Sequence, residues 1–249
     1  MLEIIFRVEV HPAKRQEFLE FIEWDARVAQ EEERESGSIW FDFFDHPVSN
    51  HRENDVGAPH YRVSPTSSGK EVFVYECYVD EIALEAHKQN EPFRHWEKWI
   101  QPNVLLKFQH LYIDGQVMDA APSLSFKDRD VLKDLNGRIS AMEQQRDAKA
   151  KEWFGDLLSN CLIFRRATGS EVDKQTFVKH LDDTNPFTSR TSEDVCVIGL
   201  DHDRALVTLI VHTTKPDRTH NRYRNIRLFS RHTKGWTLDR WHNYDVTSL

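Results

Sequence analysis

Glycine is scarce in this chain, with nine in 249 residues, and none falls in a phosphate-cradling loop. GxGxxG, GxSxG and HExxH patterns are absent as well. A dinucleotide or nucleotide cofactor therefore has no support, and no cofactor is expected. Cysteine is equally sparse. Cys77, Cys161 and Cys196 stand alone among apolar neighbours, without CxxC or Cys/His ligand spacing, which argues against a structural zinc site. An odd, unpaired set of thiols fits a reducing cytoplasm. No apolar run reaches membrane length, and the N-terminal MLEIIFRVEV alternates from its second residue instead of forming a signal sequence. A cytoplasmic protein without a membrane partner is the expectation. Basic charge is short in one half only. Residues 1–117 hold 12 Lys/Arg against 22 Asp/Glu, and residues 118–249 hold 21 against 19. Phosphate contacts need a basic surplus, so no nucleic-acid partner is expected.

Apolar residues make up 39% of the chain and charged residues 30%, enough for real cores in one large or two ordinary domains. Residues 2–10 alternate around Leu2, Ile4, Phe6 and Val8, which predicts a half-buried strand. A helix follows from Pro12 to about Glu35, with Phe18, Leu19, Ile22, Ala26 and Ala29 on one face. Its acidic end, EEERE at 31–35, reads as solvated. SIWFDFF (38–44), EVFVYECYV (71–79) and NVLLKFQHLYI (103–113) are β-favouring runs. Some 25 residues rich in Pro, Ser, Asn and His separate the first two, as a lid or insert does. Their histidines, His46, His51 and His60, have no metal-ligand spacing, and no metal is expected.

Residues 114–125 read as a linker between a domain at 1–113 and another at 126–249. The second begins with helical patterns around Leu132, Leu135, Ile139 and Met142, then Trp153, Phe154, Leu157 and Leu158. Asp173 is placed to cap a short helix. Long strands then follow to the end of the chain, predicting an α+β unit with a curled antiparallel sheet.

The run VYECYVDEIALEAHKQNEPFRHW carries a strand with Glu76 and Tyr78, then Asp80, Ala83, Leu84 and His87. In this order of elements it resembles the antibiotic biosynthesis monooxygenase (ABM) family over about residues 1–113. Pro92 stands immediately before Phe93, where many members have a second histidine. The resemblance implies a ferredoxin-like dimeric α+β barrel, a homodimer, and cofactorless chemistry in which a deprotonated phenol or enol reacts with oxygen directly. RDAKAKEWFGDLLSNCLIFRRATGSEVDKQTFVKHL and GWTLDRWHNYDV resemble the SnoaL-like members of the NTF2-like superfamily over about residues 126–249. That resemblance implies an α+β cone holding a second small-molecule pocket.

Two groups of candidate site residues emerge. In the front half, His87 would be a general base oriented by Glu76, since a buried acid needs a partner. Trp40, Tyr75, Tyr78, Phe93 and Trp96 would hold an aromatic ring. The alternative is a helix-start histidine at the rim, an exposed Glu and an ordinary aromatic core. In the rear half, His212, Arg224, Trp241, His242 and Tyr244 are candidates for a substrate pocket, or else decorate a solvated sheet face. The expected function is cofactor-independent monooxygenation of an aromatic or polyketide-like phenol or quinol. The alternatives are an isomerase or cyclase working by proton transfer without oxygen, and a non-catalytic binding and dimerising protein.

Overall fold

A computed structural model describes residues 1–45, 71–118, 124–184 and 186–247. The chain divides into two units, Met1–Asp119 and Ala120–Leu249, with the division inside the 114–125 stretch. The His-rich insert at 46–70, with His46, His51 and His60, lies outside the described residues.

The front unit opens with β1 (Leu2–Val10) and a 3-10 turn at Pro12–Lys14, then α1 (Arg15–Arg27). A π-helical turn (Val28–Glu32) ends that helix and leads through a glycine turn to β2 (Ser38–Asp45). β3 (Glu71–Tyr78), α2 (Glu81–His87), α3 (Glu91–His95), a second π-turn (Trp96–Ile100) and the one-turn α4 (Gln101–Asn103) follow. β4 (Leu105–Ile113) and β5 (Gln116–Val117) complete a five-stranded antiparallel sheet in the order β2-β3-β1-β4-β5. Part of the expected linker is thus strand, since β5 pairs with Tyr112 and Ile113 of β4.

Alternation decides which side chains meet the helices. Ile4, Phe6 and Val8 of β1, Phe41 and Phe43 of β2, and Val72, Val74 and Tyr78 of β3 pack with Phe18, Phe21, Ile22 and Ala26 of α1. Full burial of each such side chain contributes roughly 1.5–3 kcal/mol. Glu76 falls on this same face, flanked across the ladders by Ile4 and Phe41. Gly37, at φ +99°, closes the turn before β2; a Cβ there would lie 2.4 Å from Val79 Cγ2 and 2.9 Å from Ala83 Cβ. Only a residue without a side chain allows that approach.

In the rear unit α5 (Phe126–Gln145) is capped by Ser125 and α6 (Ala148–Leu157) by Asp147. β6 (Leu158–Arg165), β7 (Glu171–Val172) and α7 (Lys174–His180) follow, with Asp173 accepting from Thr176 N at 2.7 Å as its cap. β8 (Ser189–Gly199), β9 (Arg204–Thr214), β10 (His220–His232) and β11 (Gly235–Asp245) then form hairpins. The sheet order is β7-β6-β11-β10-β9-β8, and the β6–β11 pair is parallel rather than antiparallel. Leu132, Ile139, Phe154, Phe177, Val207, Phe229 and Trp241 belong to its core.

Candidate functional site

The front site begins with a helix defect. Residues seven apart in an α-helix lie two turns along one face. The π-turn adds one residue, closing with Glu33 N donating to Val28 O at 3.1 Å, so Asp25 and Glu33, eight apart, both reach His87. Glu33 was expected in a solvated acidic end; its side chain is instead only 13% exposed.

His87 is the last residue of α2, on the helix face that also buries Ala83. Asp80 starts that helix by accepting from Ala83 N at 2.9 Å. The imidazole is 2% exposed. Its Nδ1 is hydrogen-bonded to Glu33 Oε2 at 2.8 Å, and its Nε2 faces Asp25 Oδ1 at 3.9 Å. Asn90 Nδ2 donates to Glu33 Oε1 at 2.6 Å and lies 3.2 Å from His87 Nδ1. The same Asn90 caps α3, its Oδ1 accepting from Phe93 N at 2.6 Å. Phe41, Tyr78 and Phe93 surround the imidazole with centroids at 5.8, 5.5 and 5.8 Å.

Electrostatics follow from this burial. Desolvation pushes the Asp25 carboxyl up to about 7, against the pull of His87 and with the repulsion of Glu76 and Glu33. Its Oδ1 has no hydrogen-bond partner among the described residues. Desolvation likewise raises Glu76, whose Oε2 accepts from Tyr78 OH at 3.3 Å, and holds the Tyr78 phenol well above its ordinary value. For His87, desolvation alone would lower the imidazole; the Glu33 hydrogen bond and the fields of Glu76, Asp25 and Glu33 outweigh it and raise it. Burial opposes ionisation of Glu33 too, but the hydrogen bonds from His87 and Asn90 prevail and lower its carboxyl. A proton shared by the pair therefore rests on the imidazole.

A cleft of about 240 Å³ opens beside this pair, lined by Trp24, Val28, Glu32, Glu33, Asn90, Glu91 and Pro92. Pro92, in the first turn of α3, is thus part of the cleft wall.

The expected partnership of Glu76 with His87 is corrected in one respect. Glu33 makes the hydrogen bond, while Glu76 acts on the imidazole only through its charge. Tyr78 and Phe93 do meet His87. Tyr75 does not join them, because strand alternation puts it on the opposite face of β3, where its OH donates to Glu3 Oε1 at 2.9 Å. Trp96 packs in the core against Phe6, Phe21 and Phe108. Trp40 lies in β2, and its side chain is outside the described residues.

The five rear candidates do not form one constellation. Trp241 turns toward the helices, donating to Asn225 Oδ1 at 2.7 Å beneath the Arg227 guanidinium at 4.4 Å. Arg224, His242 and Tyr244 occupy the opposite face of the pleat, with Arg224 Nη1 donating to Thr208 Oγ1 at 3.3 Å and Tyr244 OH 3.5 Å from His242 Nδ1. His212 pairs with Glu193 at 2.5 Å near the start of β8. Sequence reasoning missed Asp25, Glu33, Asn90 and Arg227; the S/T/D/N-plus-proline signal of a helix start at Asn90–Pro92 could have flagged Asn90.

Residues 1–99 match the family model of the antibiotic biosynthesis monooxygenases. The matched residues lie within the front unit. No curated protein matches the chain. Solved structures similar to the rest of the chain carry NTF2-like folds. An NTF2-like protein from Cytophaga hutchinsonii shares 19% identity over 47% of this chain and 98% of its own, with a TM-score of 0.41. An NTF2-like protein from Rhodospirillum rubrum shares 21% over 46% of this chain and 98% of its own, also with a TM-score of 0.41. Both units combine helices with a β-sheet, so the described elements are α+β throughout. Among the described residues no helix is long and apolar enough to cross a membrane.

Proposed function

We propose that the front unit is a cofactor-independent monooxygenase of aromatic or polyketide-like phenols or quinols, with the Glu33–His87 pair as its proton acceptor. The observation that carries this reading is the buried 2.8 Å hydrogen bond between Nδ1 and Glu33 Oε2, at the edge of the cleft. In the unprotonated state Nε2–H faces Asp25, and the Asn90 amide donates to both Nδ1 and Glu33 Oε1. A substrate hydroxyl seated in the cleft meets Glu33 first, and its proton comes to rest on Nδ1, shared with Oε2. The resulting enolate reacts at carbon with O2 to form a peroxide; that carbon then loses its own hydrogen as the O–O bond breaks, so one oxygen atom stays as a new carbonyl and the other leaves as water, taking up the two protons released. Phe41, Tyr78 and Phe93 keep water from the imidazole, so the proton affinity that Glu33, Glu76 and Asp25 confer is not screened. Glu76 is an electrostatic contributor in this reading.

The test is oxygen consumption by the full chain with a panel of quinols and anthrone-like phenols, followed with isotopic oxygen. Incorporation of one oxygen atom per turnover, without added flavin, nicotinamide or metal, is expected. Proton exchange at the substrate carbon without oxygen uptake would overturn it in favour of an isomerase. The protein is further proposed to work in the cytoplasm as a homodimer, since among the described residues the outer edge of β4 forms ladder pairs only at Tyr112 and Ile113 and Leu106 is left 57% exposed. Light scattering at micromolar concentration should give twice the 29.4 kDa chain mass, and a monomer would contradict it.

A further inference from the structure

The rear unit holds a buried charge cluster that lies outside the proposed oxygenase. Asn136, Ser140 and Glu143 continue the core-facing stripe of α5 beyond Leu132, at steps of four and three residues, so a stripe that begins apolar turns polar against the sheet. Opposite it stand Arg190 of β8 and Arg227 of β10. Arg227 is 0% exposed, stacked on Trp241, and donates to two neutral acceptors, Asn136 Oδ1 at 2.7 Å and Asn225 Oδ1 at 3.0 Å. Arg190 Nη2 lies 2.7 Å from Glu143 Oε2, with both side chains nearly buried, at 9% and 11% exposure. The Nε–H donors of Arg190 and Arg227 have no hydrogen-bond partner among the described residues.

Charge does not balance here. Glu143 feels the guanidinium charges of Arg190, Arg227 and Arg146 together, and it is the one carboxylate acting on Arg227 among the described residues. A buried cation without a matching anion is costly, and folding alone gives no reason to keep it. Glu143 shows that a carboxyl group is accepted opposite Arg190.

We infer that the rear unit binds a small carboxylate at Arg190 and Arg227, in the place that Glu143 holds as an internal stand-in. The ligand's carboxylate pairs with the Arg190 guanidinium and lies within the field of Arg227, beside the partly buried ring of Tyr223. A carboxylate fits better than a phosphate because the stand-in is itself a carboxyl group on one planar fork.

Calorimetric titration of the full chain with benzoate tests this, with benzamide as the neutral isostere and inorganic phosphate as the second anion. Saturable benzoate binding is expected, with none for benzamide and markedly weaker binding for phosphate. Glu143→Gln should tighten benzoate binding about tenfold by removing the internal competitor, and Arg190→Gln should weaken it by at least about tenfold. These opposed directions keep the test decisive even if Arg190→Gln fails to fold. Absence of benzoate heat in both the native chain and Glu143→Gln, an equal response to phosphate, or unchanged affinity in Arg190→Gln would each overturn the inference. Binding is read without turnover, so its failure and that of the oxygenase reading are separable.

Discussion

The two units bury opposite charge by the same means. In the front unit three carboxyl groups, Asp25, Glu33 and Glu76, act on one imidazole; in the rear unit three guanidinium groups act on one carboxyl group. The front cluster answers its excess by taking up protons, with Asp25 raised to about 7 by desolvation. Arginine hardly has that recourse. Desolvation pulls Arg227 down only to about 9, which leaves it cationic at neutral pH. An acidic cluster can thus become a proton reservoir, while a basic one retains its charge and with it an affinity for anions. The contrast separates the proton chemistry proposed for one unit from the binding role inferred for the other.

The largest effect that would break this contrast is on turnover. His87→Gln should reduce oxygen consumption by about two orders of magnitude, as loss of a general base does; an unchanged rate would remove the imidazole from the reaction. Next comes Asp25→Asn. The folded carboxyl is raised above its ordinary 3.8, so the native state holds a proton that the unfolded chain has released. Stability should therefore fall as pH rises from about 4 to about 7 and level off above that. Asp25→Asn should flatten this slope and stabilise the chain at pH 8 by on the order of 1–3 kcal/mol, as read by thermal or urea unfolding at pH 4.5 and 8. Because Glu76 is raised too, part of the slope should remain; a slope left at its full native size would show that Asp25 is not a source.

Glu33→Gln removes both the hydrogen bond and a charge that raise His87. The acid limb of the pH–rate profile should move to lower pH, with a loss of about tenfold at the optimum. A limb that stays in place would mean that another group sets it. The smallest effects compare two turns. Gly37→Ala drives a methyl group into Val79 and Ala83, whereas a Cβ on Gly235, at φ +124°, meets nothing within 4 Å. The first should destabilise by about 2–3 kcal/mol and the second by about 1 kcal/mol, in paired urea titrations. Equal losses would mean that the contacts around Gly37 give way freely.

Alternation made β1 and β3 readable in the sequence, and the cap at Asp173 was visible as a residue type. Burial of His87 among rings also follows from that pattern, since Tyr78 and Phe41 share a face. Its partner was hidden for a specific reason. A π-turn leaves no compositional mark, so Glu33 looks like any acid in a solvated run until the extra residue rotates it inward. The rear pattern failed differently. Alternation divides Trp241 from His242 but does not say which face the helices cover, and the parallel pairing of β6 with β11 joins strands far apart in the chain. Arg227 was passed over because a basic residue in a strand is ordinarily at the surface.

Asn90 ties two tasks to one side chain, because its carbonyl oxygen begins α3 while its amide nitrogen grips Glu33 and His87. Aspartate would start the helix equally well but brings no N–H and adds a fourth acid, and serine has a single hydrogen to share. The position is thus closed to substitutions that ordinary helix-start preferences would welcome. Shaping this corner of the backbone and readying the imidazole become a single event in folding.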